Sequence, residues 1–212
     1  MSTSKWTGKK ALFLGDSITE GVGTTKTYHA VLNEMIGFGE VKHYGISATR
    51  IASQPDDGGS AMSVRYAGMD DDADLVVVFG GTNDFGHGSA PIGTREDFTT
   101  DTFLGALNVL MTGLIDKYAN ASICFLTPLH RDFYDGYAEL NPATGLRLEL
   151  FVEHLKERAR YYALPILDLY AISGMQPKLQ IIKDRYMPDG LHPNDAGHQL
   201  MAQRIAPFLE TL

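Results

Sequence analysis

The sequence predicts an α/β fold, a three-layer α/β/α sandwich with a central five-stranded parallel sheet. Short apolar runs bounded by Gly, Pro or polar residues recur along the chain, as buried strands do. Segments with helical periodicity separate these runs, and such alternation is typical of parallel sheets. Both faces of the runs are apolar, which indicates that helices cover both sides of the sheet.

Five strands and five main helices are predicted, in alternation. The strands are expected at residues 11–14, 41–44, 75–79, 123–126 and 165–169. The helices are expected at residues 27–36, 60–67, 97–118, 145–162 and 194–209. Right-handed crossovers between parallel strands bring the carboxyl ends of the strands to one edge, where ligands bind in sheets of this kind.

The composition is that of an ordinary globular protein and excludes several classes of function. A chain of 212 residues has room for one domain, expected to span residues 1–212. Its content of 44% hydrophobic and 21% charged residues argues against disorder. A net charge of -8, without a cluster of Lys and Arg, argues against binding to nucleic acid. The expected partner is a small molecule, and a homo-oligomer remains open.

The sequence predicts a cytoplasmic protein without a membrane span. The first ten residues are basic, but no apolar segment of the kind found in signal peptides follows them. The longest purely apolar run, residues 75–79, is far shorter than the roughly 20 residues of a spanning helix. Cys124 is the single cysteine and lies in an apolar run, which favours a buried strand residue over a redox or metal role.

A serine follows the first predicted strand. The run that ends at Gly15 is followed by Asp16 and Ser17, so a hydroxyl and several backbone N–H groups lie at the edge of the sheet. This position makes Ser17 a candidate nucleophile. Taken alone, the pattern is equally typical of a turn or a helix cap.

A second candidate group lies before the last helix. Asp189 precedes His192 by three residues in a turn rich in Gly and Pro, where a carboxylate can orient an imidazole. The default interpretation as ordinary structural or surface residues applies to His29, His43, His87, His154 and His198.

Two further residues follow predicted strands. Asn83 comes after the third strand, where its side-chain amide could donate to a developing oxyanion. An Asx turn is the alternative. Gly45 follows the second strand, and the absence of a side chain would let its backbone N–H approach a ligand closely.

These four blocks together resemble the GDSL or SGNH hydrolase family, which is named after Ser, Gly, Asn and His in four sequence blocks. The first block is similar to Gly15-Asp16-Ser17-Ile18-Thr19, with Ile in place of Leu. Gly45 falls in the second block, Asn83 in the third and His192 in the last. The resemblance spans nearly the whole chain and implies a flavodoxin-like SGNH hydrolase fold.

The resemblance also implies a role for each of these residues. Ser17 would be the nucleophile, His192 the general base and then acid, and Asp189 its orienting partner. The backbone N–H groups of Ser17 and Gly45 and the side chain of Asn83 would form an oxyanion hole. No metal and no cofactor is required. The second block departs from the family pattern, because His43 and Ala48 stand where Asn and a second Gly are frequent.

The expected function is that of a serine esterase that acts on short acyl esters. Two long loops, residues 85–96 and 129–144, are expected to surround the substrate. The first is rich in Gly and Ser, and aromatic residues are available for stacking, so an acetyl group on a carbohydrate is the favoured substrate. The candidate substrate contacts are Asp16, Asp84, Phe85, Tyr134 and Tyr137. Asp16 is also expected to structure the turn beside Ser17.

Three alternatives remain open from the sequence. The first is a lysophospholipase or thioesterase that acts on longer acyl chains. The second is a flavodoxin-like module that binds a nucleotide or flavin, although such a module would leave Asn83 and the Asp189–His192 pair unexplained. The third is a member of the same fold that binds acylated sugars or lipids without turnover.

Overall fold

The computed structural model describes residues 3–132 and 139–212, and within these ranges the chain forms the predicted sandwich. The strands are β1 (Lys10–Gly15), β2 (Glu40–Gly45), β3 (Leu75–Phe79), β4 (Ser122–Leu126) and β5 (Ile166–Leu167). They form one parallel sheet in the order β2-β1-β3-β4-β5. The predicted α/β/α fold with a five-stranded parallel sheet is therefore confirmed.

The helices include the five predicted ones and several short ones. They are α1 (Ser17–Glu20), α2 (Tyr28–Ile36), α3 (Met62–Arg65), α4 (Thr82–Gly86), α5 (Phe103–Lys117), α6 (Leu148–Tyr161), α7 (Leu169–Ile172), α8 (Gln180–Tyr186) and α9 (Asp195–Leu209). The predicted helix at residues 60–67 corresponds to α3 and a 3-10 turn at Tyr66–Gly68. The sequence did not predict α1, α4, α7 and α8.

Alternate residues of the strands pack into two separate apolar cores, one on each face of the sheet. On β1, Leu12 belongs to the core that contains Leu107 of α5, whereas Phe13 belongs to the core that contains Leu32 of α2 and Met201 of α9. The residues named are all buried. Since the strands bury both faces, helices on both sides are needed to exclude water from them.

Two predicted strands differ in detail from the observed ones. β2 lies at the edge of the sheet and is largely exposed, so the expectation of apolar faces on both sides is wrong there. β5 comprises only two residues, because the side chain of Asp168 accepts a hydrogen bond from Ala171 N and begins α7. Leu169, predicted as part of the strand, is thus helical.

The start of α5 also differs from the prediction. The helical segment was expected from residue 97, but α5 begins at Phe103. The Asp97 side chain accepts hydrogen bonds from the backbone N–H and hydroxyl of Thr94, which form a turn, and the Thr102 hydroxyl then caps α5 by accepting from Gly105 N. Capping side chains, rather than hydrophobic periodicity, fix this boundary.

The register of the strands brings the candidate residues to one edge of the sheet. Gly15 at the end of β1 pairs with Gly45 of β2 and with Phe79 of β3. The segments that follow these three strands therefore leave the sheet side by side, as expected for a parallel arrangement. Within the described parts of the chain, no helix is both long and apolar enough to cross a membrane. A cytoplasmic location stays a prediction.

Candidate active site

Ser17 is the first residue of α1, directly above the end of β1. The Asp16 side chain caps this short helix by accepting a hydrogen bond from Ile18 N at 3.0 Å. The preceding Gly15 has no room for a side chain, since an added Cβ would lie 2.0 Å from Thr19 Oγ1 and 2.9 Å from the Phe79 carbonyl oxygen. Only glycine therefore lets α1 fold back this closely over the strand end.

Two successive hydrogen bonds link Ser17 to His192 and His192 to Asp189. The distance from Ser17 Oγ to His192 Nε2 is 3.0 Å, and His192 Nδ1 lies 2.6 Å from Asp189 Oδ2. With Nδ1–H donating to the carboxylate, Nε2 is left as the acceptor for the serine hydroxyl. The structure thus brings these three predicted residues together in the geometry of a nucleophile, a base and its orienting group.

The Asp189 carboxylate is held by the turn to which it belongs. Its Oδ1 accepts hydrogen bonds from the backbone N–H groups of Leu191 at 2.8 Å and His192 at 2.7 Å. Burial raises the pKa of Asp189, but the hydrogen bonds from the His192 ring and from these N–H groups outweigh it and hold the pKa below its ordinary value. Asp189 is therefore ionised near neutral pH and can stabilise a positive charge on His192.

Two glycines let the turn around His192 pack closely against neighbouring loops. Gly190 has a φ of +79°, and an added Cβ would lie 1.8 Å from the carbonyl oxygen of Asp132. The Asp132 N–H in turn donates to the Gly190 carbonyl at 2.6 Å. Gly23, in the loop after α1, has a φ of +82°, and a Cβ added to it would lie 3.3 Å from His192 Cβ. The position of the imidazole thus depends on contacts from two other loops.

Asn83, in α4, is buried beside Ser17. Its Nδ2 donates to the Thr49 carbonyl at 2.9 Å, which fixes the orientation of the amide. An amide nitrogen carries two hydrogens, so the second can serve a ligand in the cavity that Asn83 lines. The predicted placement of Asn83 next to Ser17 agrees with this geometry.

Gly45 lies elsewhere than the sequence predicts. It packs against α1, where an added Cβ would lie 2.2 Å from Glu20 N, and its own N–H is 3.4 Å from His43 Nδ1. Gly45 is needed for this close packing of β2 on α1. The structure does not bring its N–H to the cavity beside Ser17, because the chain continues past it and reaches the cavity at Ser47 and Ala48.

Ala48, unlike Gly45, lines the cavity beside Ser17. It has a φ of +62°, in the left-handed region, and within the described residues its backbone N–H has no hydrogen-bond acceptor. The Glu20 carboxylate of α1 fixes the loop by accepting from the Ser47 N–H at 2.6 Å and from the Ser47 hydroxyl. The sequence signal was the position itself, where the resembling family frequently has Gly, which adopts a positive φ without strain.

Two buried carboxylates, those of Asp16 and Asp84, hold the backbone near the site. Asp84 accepts from the backbone N–H groups of Ile51 and Ala52, both at 2.9 Å, whereas Asp16 caps α1. Burial raises the pKa of each to about 6. Neither lines the cavity beside Ser17, so the structure does not place them as the predicted substrate contacts. The turn-structuring role expected for Asp16 agrees with its position as helix cap.

The predicted aromatic contacts fall outside the cavity or outside the described residues. Phe85 is buried in the core, 6.1 Å from Phe151 between ring centroids, because α4 directs it away from the sheet edge. The guanidinium of Arg131 lies 5.4 Å from the Phe85 ring centroid. Tyr134 and Tyr137 belong to residues 133–138, which lie outside the described residues.

A cavity of about 310 Å³ opens beside the serine, and we refer to it as the Ser17 cavity. Its lining residues are Ser17, Val22, Ser47, Ala48, Asn83, His87, Arg131, Leu191 and His192. The sequence did not single out Val22, His87, Arg131 or Leu191 as site residues. The only signal for His87 and Arg131 was their place in the two long loops that were expected to surround the substrate.

Known proteins share this sequence pattern and this fold. The model of the GDSL-like lipase/acylhydrolase family matches residues 13–200. A protein of known structure from Lactobacillus plantarum is 34% identical with a TM-score of 0.88, over 97% of this chain and 98% of that chain. No protein with a curated function matches the sequence.

More distant structures share the fold alone. A lipase/acylhydrolase from Enterococcus faecalis is 19% identical with a TM-score of 0.63, over 96% of each chain. An acetyl xylan esterase is 22% identical with a TM-score of 0.64, over 92% of this chain and 97% of that chain.

Proposed function

Because this chain belongs to the GDSL-like lipase/acylhydrolase family and is an ester hydrolase, we propose that it cleaves short-chain acyl esters through an acyl-enzyme on Ser17. The observation that carries the proposal is the hydrogen-bonded chain from Ser17 Oγ through His192 to Asp189, with distances of 3.0 and 2.6 Å. A serine hydroxyl becomes an effective nucleophile only when a base accepts its proton during attack. His192 is in position to do so.

The geometry supports a two-step reaction. Ser17 Oγ attacks the ester carbonyl carbon while its proton passes to His192 Nε2, and the Asp189 carboxylate stabilises the imidazolium. The tetrahedral intermediate collapses as Nε2–H protonates the departing alcohol, which leaves the acyl group on Ser17. Water then attacks the acyl-enzyme by the same route and releases the carboxylic acid. No other group is needed to move the protons.

Three donors are proposed to stabilise the oxyanion. They are the backbone N–H of Ser17, the second Nδ2–H of Asn83 and the backbone N–H of Ala48 in place of that of Gly45. Ser17, Ala48 and Asn83 all line the Ser17 cavity, whereas Gly45 does not. Removal of one such donor in other hydrolases raises the barrier by about 3 to 4 kcal/mol, so each is important for turnover.

The Ser17 cavity has room for a short acyl group. Its volume of about 310 Å³ is at the lower end of the range of roughly 300–1,000 Å³ for pockets that hold small molecules. Val22, Ala48 and Leu191 supply apolar lining for the acyl chain. An acetyl or similarly short acyl group, carried on a sugar hydroxyl, is the proposed substrate.

A labelling experiment tests the acyl-enzyme. A fluorophosphonate probe is expected to label the protein stoichiometrically on Ser17, and Ser17→Ala to abolish both the label and the hydrolysis of p-nitrophenyl acetate. Labelling of another residue, or activity retained in Ser17→Ala, would contradict the proposal. Bound flavin in the purified protein would instead favour the nucleotide-binding alternative.

A series of p-nitrophenyl esters tests the acyl chain length. We expect the highest kcat/KM for acyl chains of about two to four carbons, since each further methylene must find room in the cavity. A maximum beyond about eight carbons would favour the lysophospholipase or thioesterase alternative.

A further inference from the structure

A second cavity adjoins the Ser17 cavity and differs from it in chemistry. It has a volume of about 260 Å³, its lining includes Arg50, Asp56, Asp57 and Ser60, and it shares Ser47, Ala48 and His87 with the Ser17 cavity. We refer to it as the Arg50 cavity. Where the lining of the Ser17 cavity includes Val22 and Leu191, the Arg50 cavity has mainly side chains that form hydrogen bonds.

Arg50 is a buried cation with hydrogen-bonding capacity that the protein does not use fully. Its Nη2 donates to Asp56 Oδ1 at 2.7 Å, and its Nη1 lies 3.4 Å from His87 Nδ1. Only 5% of Arg50 is exposed, and its Nε has no hydrogen-bond partner within the described part of the chain. The Nε is enclosed by protein and is out of reach of a ligand, but Nη1 and Nη2 each carry a second hydrogen and Arg50 lines the cavity, so these hydrogens are the donors that a ligand would meet.

The charged side chains of the Arg50 cavity already have hydrogen-bond partners within the protein. Asp56 pairs with Arg50, and the Asp57 carboxylate accepts backbone hydrogen bonds from Gln54 at 2.7 Å and Gly59 at 2.7 Å. Burial, together with the charges of Arg50 and Arg131, lowers the pKa of His87, so its ring is neutral near pH 7. A cavity whose charged side chains already have partners, and which is lined by many donors and acceptors, suits a neutral ligand that carries hydroxyl groups.

The Arg50 cavity is also fixed in shape by backbone contacts. The Arg50 carbonyl accepts from Met62 N at 2.8 Å, and the next two N–H groups donate to the buried Asp84. Arg50 is thereby held between α3 and α4. A site formed before the ligand arrives requires little ordering of side chains when the ligand binds.

We propose that the Arg50 cavity is the subsite for the alcohol part of the ester, and that it selects alcohols with several hydroxyl groups, such as a sugar ring. The proposal rests on the proposed function, in which the scissile carbonyl lies at Ser17. An ester has an acyl and an alcohol part on either side of that carbonyl, and the two cavities meet at Ala48. The Asp56 carboxylate accepts from ligand hydroxyls at the rim, and the Arg50 guanidinium donates to them.

Two acetates with rings of equal size test the subsite. Glucose 6-acetate carries hydroxyl groups on its ring, whereas cyclohexylmethyl acetate has none. The measured quantity is the ratio of kcat/KM for the sugar acetate to that for the cyclohexyl acetate, in the wild type, in Asp56→Asn and in Asp116→Asn. Asp116 is an exposed carboxylate on α5 and serves as the matched control.

We expect a wild-type ratio above one, a ratio lowered about tenfold in Asp56→Asn, and an unchanged ratio in Asp116→Asn. If the wild type cleaves both acetates through Ser17 but the ratio does not exceed one, or if Asp56→Asn behaves like Asp116→Asn, the subsite is overturned and the proposed function stands. If Ser17 supports cleavage of neither acetate nor of p-nitrophenyl acetate, the proposed function fails and the subsite with it.

Discussion

The carboxylate of Glu20 accepts hydrogen bonds from the backbone N–H and the hydroxyl of Ser47, both on its Oε2. Glu20 ends the same short helix that Ser17 begins. A single turn of helix therefore positions the serine at one end and, at the other, the loop that carries Ala48 to the Ser17 cavity.

This relationship predicts that Glu20 controls turnover more than substrate binding. We expect Glu20→Ala to lower kcat by about tenfold or more with a smaller change in KM, because an oxyanion donor contributes mainly in the transition state. Glu20→Gln should restore most of the activity, since one oxygen accepts both hydrogen bonds. Kinetics with p-nitrophenyl acetate measure this, and Glu34→Ala, which removes an exposed carboxylate paired with Lys26, is the control. An equal fall in kcat in Glu34→Ala would refute this role of Glu20.

The close contact at Gly190 predicts a severe effect of a single methyl group. In Gly190→Ala the new Cβ would meet the Asp132 carbonyl oxygen and would require a left-handed backbone, so the turn that carries His192 must move. We expect a loss of at least 2 kcal/mol in the free energy of unfolding, above the roughly 1 to 2 kcal/mol of the backbone strain alone, and a kcat lowered about 100-fold. Denaturant unfolding and ester hydrolysis measure the two effects.

Gly145 provides the matched control for this prediction. It also has a positive φ, +69°, but no atom lies within 4 Å of its added Cβ. Gly145→Ala should therefore show only the backbone strain and retain activity. Equal destabilisation in the two variants would mean that the contact with Asp132 is unimportant.

The positive φ of Ala48 predicts that glycine is tolerated there. The left-handed conformation costs an alanine about 1 kcal/mol or more, which offsets the entropic penalty of glycine in the unfolded chain. We expect Ala48→Gly to keep the wild-type kcat and to be at least as stable in thermal unfolding. Ala119→Gly, at an exposed position without a positive φ, should instead destabilise the protein by about 0.5 to 1 kcal/mol. Equal losses of stability would contradict the strain at Ala48.

The buried ring of His198 predicts a loss of stability in mild acid. Its Nδ1 accepts a hydrogen bond from Tyr28 N at 2.9 Å, and burial lowers its pKa to about 4. In the unfolded state the His198 ring has its ordinary pKa near 6.5. Between about pH 4 and pH 6.5 the unfolded state therefore binds a proton that the folded state does not bind. This contribution to stability is fully present above pH 6.5 and is lost as the pH falls toward 4, by about 2 kcal/mol between pH 7 and pH 5.

Comparison with His198→Gln isolates the contribution of His198 to the pH dependence of stability. The carboxyls of Asp16 and Asp84 act with the opposite sign, since their raised pKa gives stability that is present below pH 3.8 and lost as the pH rises through about 6. The contributions of Asp16 and Asp84 are the same in the wild type and in His198→Gln. Denaturant unfolding at pH 7 and pH 5 should thus show a smaller loss in His198→Gln, and an equal loss in both proteins would exclude the effect.

The sequence was sufficient for the sheet and for the long helices, because these depend on hydrophobic periodicity. The sequence did not predict the short helices. α1 and α7 are single turns that begin at the capping side chains of Asp16 and Asp168, and a turn of four residues is too short to show a period. The exposed edge strand β2 shows the same limit, since strand order is a tertiary property.

The sequence predicted which residues lie near the candidate site more reliably than it predicted where their side chains and N–H groups point. Ser17, Asn83, Asp189 and His192 lie together, because each follows a strand end or precedes the last helix. Gly45 is the last residue of β2 and Phe85 comes after β3, but Gly45 packs on α1 and Phe85 enters the core. Position in the sequence indicates which residues reach the sheet edge, whereas the direction of an N–H or a ring depends on backbone angles such as the φ of Ala48.

The loop between β2 and α3 is fixed mainly through its backbone, by Glu20 at Ser47 and by Asp84 at Ile51 and Ala52. The side chains of Asp56 and Ser60 lie beyond these attachments, at the Arg50 cavity. A mutant library randomised at these two positions would therefore explore new leaving groups while the oxyanion donors stay in place.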